Sequence, residues 1–357
     1  MMIYALSFIV FAVLILTGAI FLSILRLRYV AEKNTQHRRR AYWKMESLLL
    51  SLFDEQILAY QWAVRIPSHE LGYLQEFLLP YLEALKGESF QKIVAAAHYS
   101  GLVKRLLQEG RSAETWKQAQ SVYFLGLIRE PQVLPLLERG LASDNMFWFY
   151  PSVIALARNN LQNLPRVLET LRNRSDWTEH LGVSIFAEMG EEVCPALLAI
   201  LAQGEPSPKI ERLALAVLAH FGYRGAESTL KEYILHSTER ELRIRALRAW
   251  SQLQLGFFEG IALAMKDPDW EIRVAAVTAL GSSGVVNQAD LALHLLRDSD
   301  WWVRLRAAQT MLRLCAREEL HTILGDPLED RYAQDMLRYV LTMEGGATCV
   351  IPTLHTL

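Results

Sequence analysis

Cysteine and histidine have the widest chemical range in this sequence, because they serve as nucleophiles, general bases and metal ligands. Cys194 precedes Pro195 at a predicted helix start, where a thiolate can be stabilised, but no partner base is identifiable for it. Cys315 and Cys349 lie too far apart for a zinc pair, and three cysteines do not form an even disulfide framework. The nine histidines are scattered singly. We therefore expect reduced core cysteines in a cytoplasmic domain, and no catalytic residue, metal site or cofactor.

Phosphate-binding loops are the next chemistry to consider. The sequence contains no G-x-x-x-x-G-K-[ST] motif and no G-x-G-x-x-G that opens a helix after a strand. The stretch Gly281-Ser-Ser-Gly284 is rich in glycine, but it falls where two predicted helices meet. We interpret it as a turn, and we predict that the protein is not an enzyme.

Aromatic side chains offer a different chemistry, since tryptophan and tyrosine dominate many protein interfaces. Three tryptophans occupy one slot in a recurring pattern. They form either an exposed recognition row or a set of plugs between neighbouring helix pairs. A denser aromatic cluster runs from Asn145 to Tyr150, in a copy of the pattern that has lost its charged residues. The candidate partner contacts are Phe147, Trp148, Phe149, Tyr150, Trp177, Trp270 and Trp301.

The pattern that positions these residues is an internal repeat. The stretch from Asp267 to Gly281 recurs from Asp298 to Leu312, and related frames begin at Ser207 and Glu239. The repeat spacing is about 31 residues, in the range of helical repeats. It is marked by arginines and, on the alternate helices, by prolines: Arg212, Arg243, Arg273, Arg304, Pro135, Pro165 and Pro195. Two markers with one period favour a stack of helix pairs over a single bundle.

Each unit is predicted to be a helix, a short turn and a second helix. The apolar residues of one copy fall at i, i+3, i+4, i+7 and i+8 from Ile272, which is one face of a helix. Asp267 and Ser207 are candidate N-caps, and Gly126 is a candidate left-handed C-cap. In such a stack we expect the second helices to form the concave, partner-binding face.

The frame D-x-D-W-x-x-R-x-x-A-x-x-A-L-G resembles the HEAT repeat, especially the short bacterial variety associated with phycobilin lyases. The resemblance implies an all-α, right-handed α-α superhelix over 89–343, with about seven or eight units. It also implies that acidic residues and arginines form a structural ladder between neighbouring units. Residues 45–88 are then a helical N-terminal cap, and 344–357 a C-terminal tail or cap. The ladder residues are Arg212, Arg243, Asp269, Arg273, Asp300 and Arg304.

The N-terminal segment, 1–25, is predicted to be one transmembrane helix. No charge occurs from Ile3 to Leu25, and this run reaches roughly 34 Å as a helix. A cleaved signal peptide would need basic residues before the apolar run, whereas here they follow it, in a juxtamembrane segment at 26–44. By the positive-inside rule these residues place the N-terminus outside and the large domain in the cytoplasm of a bacterium, at the inner membrane. They are either a topology signal alone or also a contact for anionic lipid: Arg26, Arg28, Lys33, Arg38, Arg39, Arg40 and Lys44.

The charge balance bears on the partner. The formal net charge is -2, and outside the basic segment the chain is acidic by about eight charges, which argues against nucleic acid. We therefore predict a membrane-anchored scaffold that binds protein partners of an inner-membrane assembly, with polysaccharide synthesis or export favoured by fold-level analogy. The alternatives are a chromophore-lyase-like enzyme and a nucleic-acid-processing HEAT-like enzyme.

Overall fold

The structure, a computed structural model, describes residues 2–159, 161–204, 207–325 and 331–345. Within these ranges every regular element is a helix, and no strand occurs. The chain divides into two compact units, Met1–Asn159 (unit 1) and Asn160–Leu357 (unit 2). The predicted tail at 344–357 lies outside the described residues from 346 onward, as does Cys349.

Unit 1 begins with a single helix of 52 residues and continues with shorter helices. The last part of the long helix packs against α3, because it presents a buried stripe at helical spacing, formed by Ala41, Met45, Leu49 and Leu52. The helices of unit 1 are α1 (Met2–Phe53), α2 (Ala59–Val64), α3 (Leu71–Ala84), α4 (Gly87–Tyr99), α5 (Leu102–Glu109), α6 (Thr115–Leu127), α7 (Leu134–Leu141) and α8 (Met146–Asn159).

The predicted transmembrane anchor at 1–25 is not supported. Among the described residues, no helix has the length and apolar character needed to cross a membrane. The side chains of residues 1–15 lie outside the described part. The predicted inner-membrane location, with the N-terminus outside and the large domain cytoplasmic, is therefore wrong.

The basic segment at 26–44 forms the middle of α1, where its seven lysine and arginine side chains are exposed. Two of its seven cations pair with acids of unit 1: Arg38 Nη2 lies 3.3 Å from Glu76 Oε2, and Lys44 Nζ lies 3.6 Å from Glu70 Oε2. The Tyr42 hydroxyl also donates to Glu76 Oε2, at 3.0 Å. Part of this segment therefore attaches α1 to α3 and to the turn before it.

Unit 2 alternates two kinds of helix. The arginine marker lies on α12, α14, α16 and α18. These helices, together with α10, which holds the same place in the alternation, are here called ladder helices. Each intervening helix follows a short turn, and a 3-10 turn precedes α9, α11, α13 and α17. The helices are α9 (Leu164–Arg172), α10 (Glu179–Ala187), α11 (Cys194–Gln203), α12 (Pro208–His220), α13 (Glu227–His236), α14 (Arg240–Gln252), α15 (Glu259–Ala264), α16 (Trp270–Ser283), α17 (Ala289–Leu295), α18 (Trp301–Leu314), α19 (Arg317–Gly325) and α20 (Arg331–Gly345).

The ladder helices of unit 2 pack side by side in chain order, and this stacking is a HEAT-like solenoid. Their mutual contacts are more extensive than those between the intervening helices. Ladder helices two apart also meet, since Arg245 of α14 pairs with Glu179 of α10. Because the more closely spaced layer of a curved stack is its inner layer, the ladder helices form the concave side of unit 2. The expectation that the second helices would form it is wrong.

Candidate functional site

The arginine ladder joins two repeats of unit 2 to the loops that open the next ones, through Arg243 and Arg273. Arg243 Nη1 lies 2.6 Å from Asp267 Oδ2. Arg273 grips Asp298 with two parallel bonds, Nε to Oδ2 at 2.7 Å and Nη2 to Oδ1 at 2.8 Å. The same arginine donates to the carbonyl oxygens of Asp267 and Pro268. The acidic partners are thus the first aspartates of each D-x-D frame.

The second aspartates of these frames cap the ladder helices. Asp269 Oδ1 accepts from the Glu271 N–H at 2.8 Å, and Asp300 Oδ1 accepts from the Trp302 N–H at 2.8 Å. Asp267 is therefore not the N-cap that the sequence indicated. Among the other ladder positions, Arg304 donates to the carbonyl oxygens of Asp298 and Ser299, and Arg212 lies half-buried on α12.

The three candidate tryptophans of unit 2 do not share one structural position. Trp177 precedes the N-cap of α10, is 3% exposed, and donates its Nε1–H to the Leu171 and Arg174 carbonyl oxygens at 2.8 and 3.0 Å. Trp270 and Trp301 are the first residues of α16 and α18, and they are 39% and 44% exposed. Trp177 is therefore a plug, whereas the other two remain accessible.

The aromatic cluster of α8 also divides. Consecutive residues on a helix point about 100° apart, and residues two apart about 200° apart. The four consecutive aromatic residues of this cluster therefore cannot all face one surface. Phe149 is fully buried, and Trp148 and Tyr150 are half-buried. The Trp148 ring lies 5.4 Å from the Arg139 guanidinium. Only Phe147, which is 82% exposed, opens to solvent.

Phe147 lines a groove between α6 and α8, which touch at one end and part at the other. A Cβ added at Gly126 of α6 would overlap Ala155 of α8, so the two helices are in close contact there. Toward their N-termini they enclose an open groove of about 580 Å³, here called the aromatic groove. None of its lining side chains is charged: Thr115, Trp116, Ala119, Gln120, Tyr123, Asn145, Phe147 and Pro151.

The α8 wall of the groove depends on Pro151. This residue lies inside α8, and proline has no N–H to donate to the carbonyl of Phe147. The first turn is held instead by Asn145, whose Oδ1 accepts from the Phe147 N–H and whose carbonyl accepts from the Phe149 N–H, both at 2.9 Å. The cap fixes the backbone from which the exposed Phe147 ring projects.

The α6 wall carries Trp116, which is 61% exposed. Its Nε1–H donates to Glu114 Oε2 at 2.8 Å, while Lys117 Nζ donates to Glu114 Oε1 at 2.7 Å and lies 5.4 Å from the indole centroid. The polar edge of the indole is thus satisfied within the chain. Its apolar surface is left for a partner.

Tyr123 completes this wall. Its hydroxyl donates to Glu83 Oε1 at 2.6 Å, and the Arg158 guanidinium lies 4.9 Å from its ring centroid. Burial and the hydrogen bond to the Glu83 carboxylate raise the pKa of Tyr123 above its ordinary value. The phenol therefore stays neutral at physiological pH and presents an uncharged ring to the groove.

Sequence reasoning missed Trp116 and Tyr123. A usable signal exists for the first, because Trp116, Phe147 and Trp302 are each the second residue of a helix and follow an acid or asparagine cap by two positions. All three are exposed. An aromatic residue two positions after the cap therefore marks the accessible edge of these repeats.

Cys194, the one nucleophile candidate, is fully buried at the start of α11. Burial and the nearby Glu191 carboxylate raise the pKa of its thiol to about 11. The thiol is therefore protonated at physiological pH, and Cys194 contributes to the core.

Comparison with known proteins identifies the kind of repeat in one part of the chain. Residues 259–338 match the model of HEAT repeats. This range contains the ladder residues from Asp269 to Arg304, and it confirms the HEAT resemblance there. No curated protein matches the chain.

Several solved structures are similar in fold. The karyopherin Kap121p is 14% identical, with 84% of this chain and 41% of that chain covered and a TM-score of 0.44. Human deoxyhypusine hydroxylase is 14% identical, with 87% and 98% covered and a TM-score of 0.28. The CpcE–CpcF complex of phycocyanin lyase from Nostoc sp. PCC7120 is 13% identical, with 75% and 94% covered and a TM-score of 0.24. At these identities the likenesses concern the fold alone.

Proposed function

We propose that the protein is a non-enzymatic scaffold that binds a partner protein through the aromatic groove of unit 1. The observation that carries the proposal is the pair of exposed rings, Trp116 and Phe147, on facing walls of an uncharged groove. Exposed apolar surface of this kind marks interaction sites, and tryptophan is prominent among residues whose truncation weakens binding most.

The chemistry of the lining defines the partner. Apolar and aromatic side chains alternate with only neutral polar groups, so the groove favours a segment that inserts large aliphatic or aromatic side chains between the two rings. The walls are pre-organised, because Glu114 and Glu83 already hold Trp116 and Tyr123. Little side-chain ordering then remains to oppose binding.

The lining has no carboxylate, imidazole, amine or thiol that would serve as acid, base or nucleophile. This composition supports binding rather than catalysis. The link to polysaccharide synthesis or export depended on inner-membrane location and is not retained. No feature of the groove favours the chromophore-lyase or nucleic-acid alternatives.

The test is a selection of 12-residue peptides from a random library on the intact protein. We expect enriched peptides to carry Leu, Ile, Phe or Trp, and their affinity to fall at least tenfold in a Trp116→Ala/Phe147→Ala double variant. Trp43→Ala is the matched control, because Trp43 is exposed on α1 and lies outside the groove. Equal affinity of the selected peptides for wild type and the double variant would refute the proposal.

A further inference from the structure

The concave side of unit 2 carries a second surface of different chemistry. The ladder helices α14, α16 and α18 pack on each other laterally and on the intervening helices behind. Part of their remaining face reaches solvent, where Arg248 and Arg313 are exposed. Their sixth, ninth and thirteenth residues lie along that face at helical spacing. Arginines stand at its two sides and uncharged polar residues in the middle: Arg248, Thr278, Ser282, Arg306, Gln309 and Arg313. This set is here called the basic face.

One arginine of the concave side is already neutralised within the chain, and it provides an internal comparison. Arg245, the sixth residue of α14, pairs with Glu179, the first residue of α10, two ladder helices earlier. Arg306 is the sixth residue of α18, and two ladder helices earlier the first residue is Arg240. Arg240 is itself held by Asp269 and Glu271. Relative to Arg306, the position equivalent to Glu179 is therefore occupied by a cation, Arg240, and not by a carboxylate.

Arg306 is half-buried and retains its charge without a carboxylate partner among the described residues. Its Nη1–H donates to the neutral Gln309 Oε1 at 2.9 Å. Arg313 lies two turns later on the same face, and burial together with the charge of Arg313 lowers the pKa of Arg306. Within the described part of the chain, neither Arg313 nor Arg248 has an ion pair, and both are exposed. The three cations thus present unmatched positive charge on a chain whose formal net charge is -2.

The spacing of the cations selects among anionic ligands. Packed helices lie about 8–10 Å apart, so α14 and α18 are separated by roughly 16–20 Å. A ligand with two separate anionic groups can meet cations on both helices at this spacing. An extended peptide advances about 3.3 Å per residue, so five or six residues cover the distance. The Thr278 and Ser282 hydroxyls already donate within the chain, so their oxygens are left to accept from the backbone that crosses between. The Gln309 amide N–H groups can donate to that backbone, since its oxygen already accepts from Arg306.

We propose that the basic face binds an extended acidic peptide segment of a partner protein. Carboxylates at one end of the segment meet Arg248, and carboxylates five or six residues away meet Arg306 and Arg313. This surface lies in unit 2 and recognises charge, so it is independent of the aromatic groove of unit 1. Loss of one surface leaves the binding reaction of the other intact.

The test is fluorescence anisotropy with a labelled 10-residue Gly/Ser peptide that carries glutamates at positions 2, 3, 8 and 9. We expect saturable binding to the intact protein at low ionic strength, and no binding of the matched peptide with glutamines. An Arg306→Gln/Arg313→Gln variant should raise the Kd at least fivefold, and Arg248→Gln about threefold. The control Arg65→Gln/Arg111→Gln removes two exposed arginines of unit 1 and should change the Kd less than twofold.

Trp116→Ala/Phe147→Ala should bind the acidic peptide as wild type does, which separates this proposal from the aromatic groove. Equal weakening in the two arginine double variants would overturn the proposal, because it would show a diffuse charge effect. Absence of binding to wild type would overturn it as well. Full displacement by 1 mM inorganic phosphate or by duplex DNA would assign the arginines to phosphate instead of a peptide. Circular dichroism checks the fold of each variant, and Arg248→Gln, with its exposed side chain, keeps the test decisive if the Arg306 variant unfolds.

Discussion

Replacement of Arg273 by Met tests whether the ladder holds consecutive repeats together. The change removes two parallel bonds to Asp298 and two bonds to the carbonyl oxygens of Asp267 and Pro268. The Arg273 and Asp298 side chains are 13% and 8% exposed, so solvent screens the pair weakly. Loss of one partner from a buried pair costs about 3–5 kcal/mol, because the other charge is left desolvated. With partial relaxation of the loop, we expect a loss of about 3 kcal/mol in the free energy of unfolding.

Urea denaturation followed by circular dichroism at pH 7 measures this loss, and amide hydrogen exchange in α16 and α18 shows where it acts. Arg331→Met is the matched control, since Arg331 is 91% exposed and lies 3.9 Å from Asp335. That exposed pair should contribute less than about 0.5 kcal/mol. In an Asp298→Asn background the Arg273→Met change should cost at least about 1 kcal/mol less, because the pair is already broken. A loss below about 1 kcal/mol for Arg273→Met in wild type would refute the reasoning.

Three further predictions concern packing, titration and reactivity. Gly126→Val should lower the free energy of unfolding by about 1–3 kcal/mol, since the added Cβ meets Ala155. The control Gly18→Val should not lower it, because no atom lies within 4 Å of a Cβ at that position. Equal urea midpoints for the two variants would contradict this. Burial would raise the pKa of Asp298, but hydrogen bonds from Arg273 and the Asp300 N–H outweigh it and lower the pKa. The stability gained from a lowered carboxyl pKa is complete above about pH 4 and is lost as pH falls through the folded pKa. The stability advantage of wild type over Asp298→Asn should therefore be constant from pH 7 to about 4 and shrink below. An advantage that grows toward acid pH would contradict this. Cys194, with a pKa of about 11 and no exposed surface, should react with a thiol reagent at pH 7.5 only on unfolding, and rapid reaction in the folded state would contradict its assignment to the core.

The ladder shows which contacts between repeats could be predicted from the sequence. Period and residue type identified Arg243 and Arg273 as structural, and the ladder joins neighbouring repeats as the resemblance implied. The same resemblance assigned the second aspartates of the frames, Asp269 and Asp300, to the ladder. In the structure Arg243 and Arg273 pair with the first aspartates instead. In the structure Asp298 turns toward Arg273, while Asp300 accepts the first N–H groups of α18.

For the aromatic residues, the sequence predicted less and the tertiary structure decided more. Their presence marked α8 as a candidate contact, yet helical rotation buries Phe149 and exposes Phe147. Trp177 and Trp270 look alike in sequence, but an N-cap falls after the first and before the second. Side-chain exposure depends on such one-residue shifts in the helix start, which are set by packing with the preceding repeat.

The sequence by itself determined the repeat, the helical class and the ladder positions of Arg243 and Arg273, because these follow from local spacing and from side-chain type. The interpretation of the N-terminal segment as a membrane anchor is not supported, since no helix among the described residues has the length and apolar character needed to cross a membrane. Only the tertiary structure decided which helices are concave, where α6 and α8 part to form the groove, and which arginines lack a partner. Those properties depend on the close approach of residues far apart in the chain, such as Gly126 with Ala155 and Arg245 with Glu179.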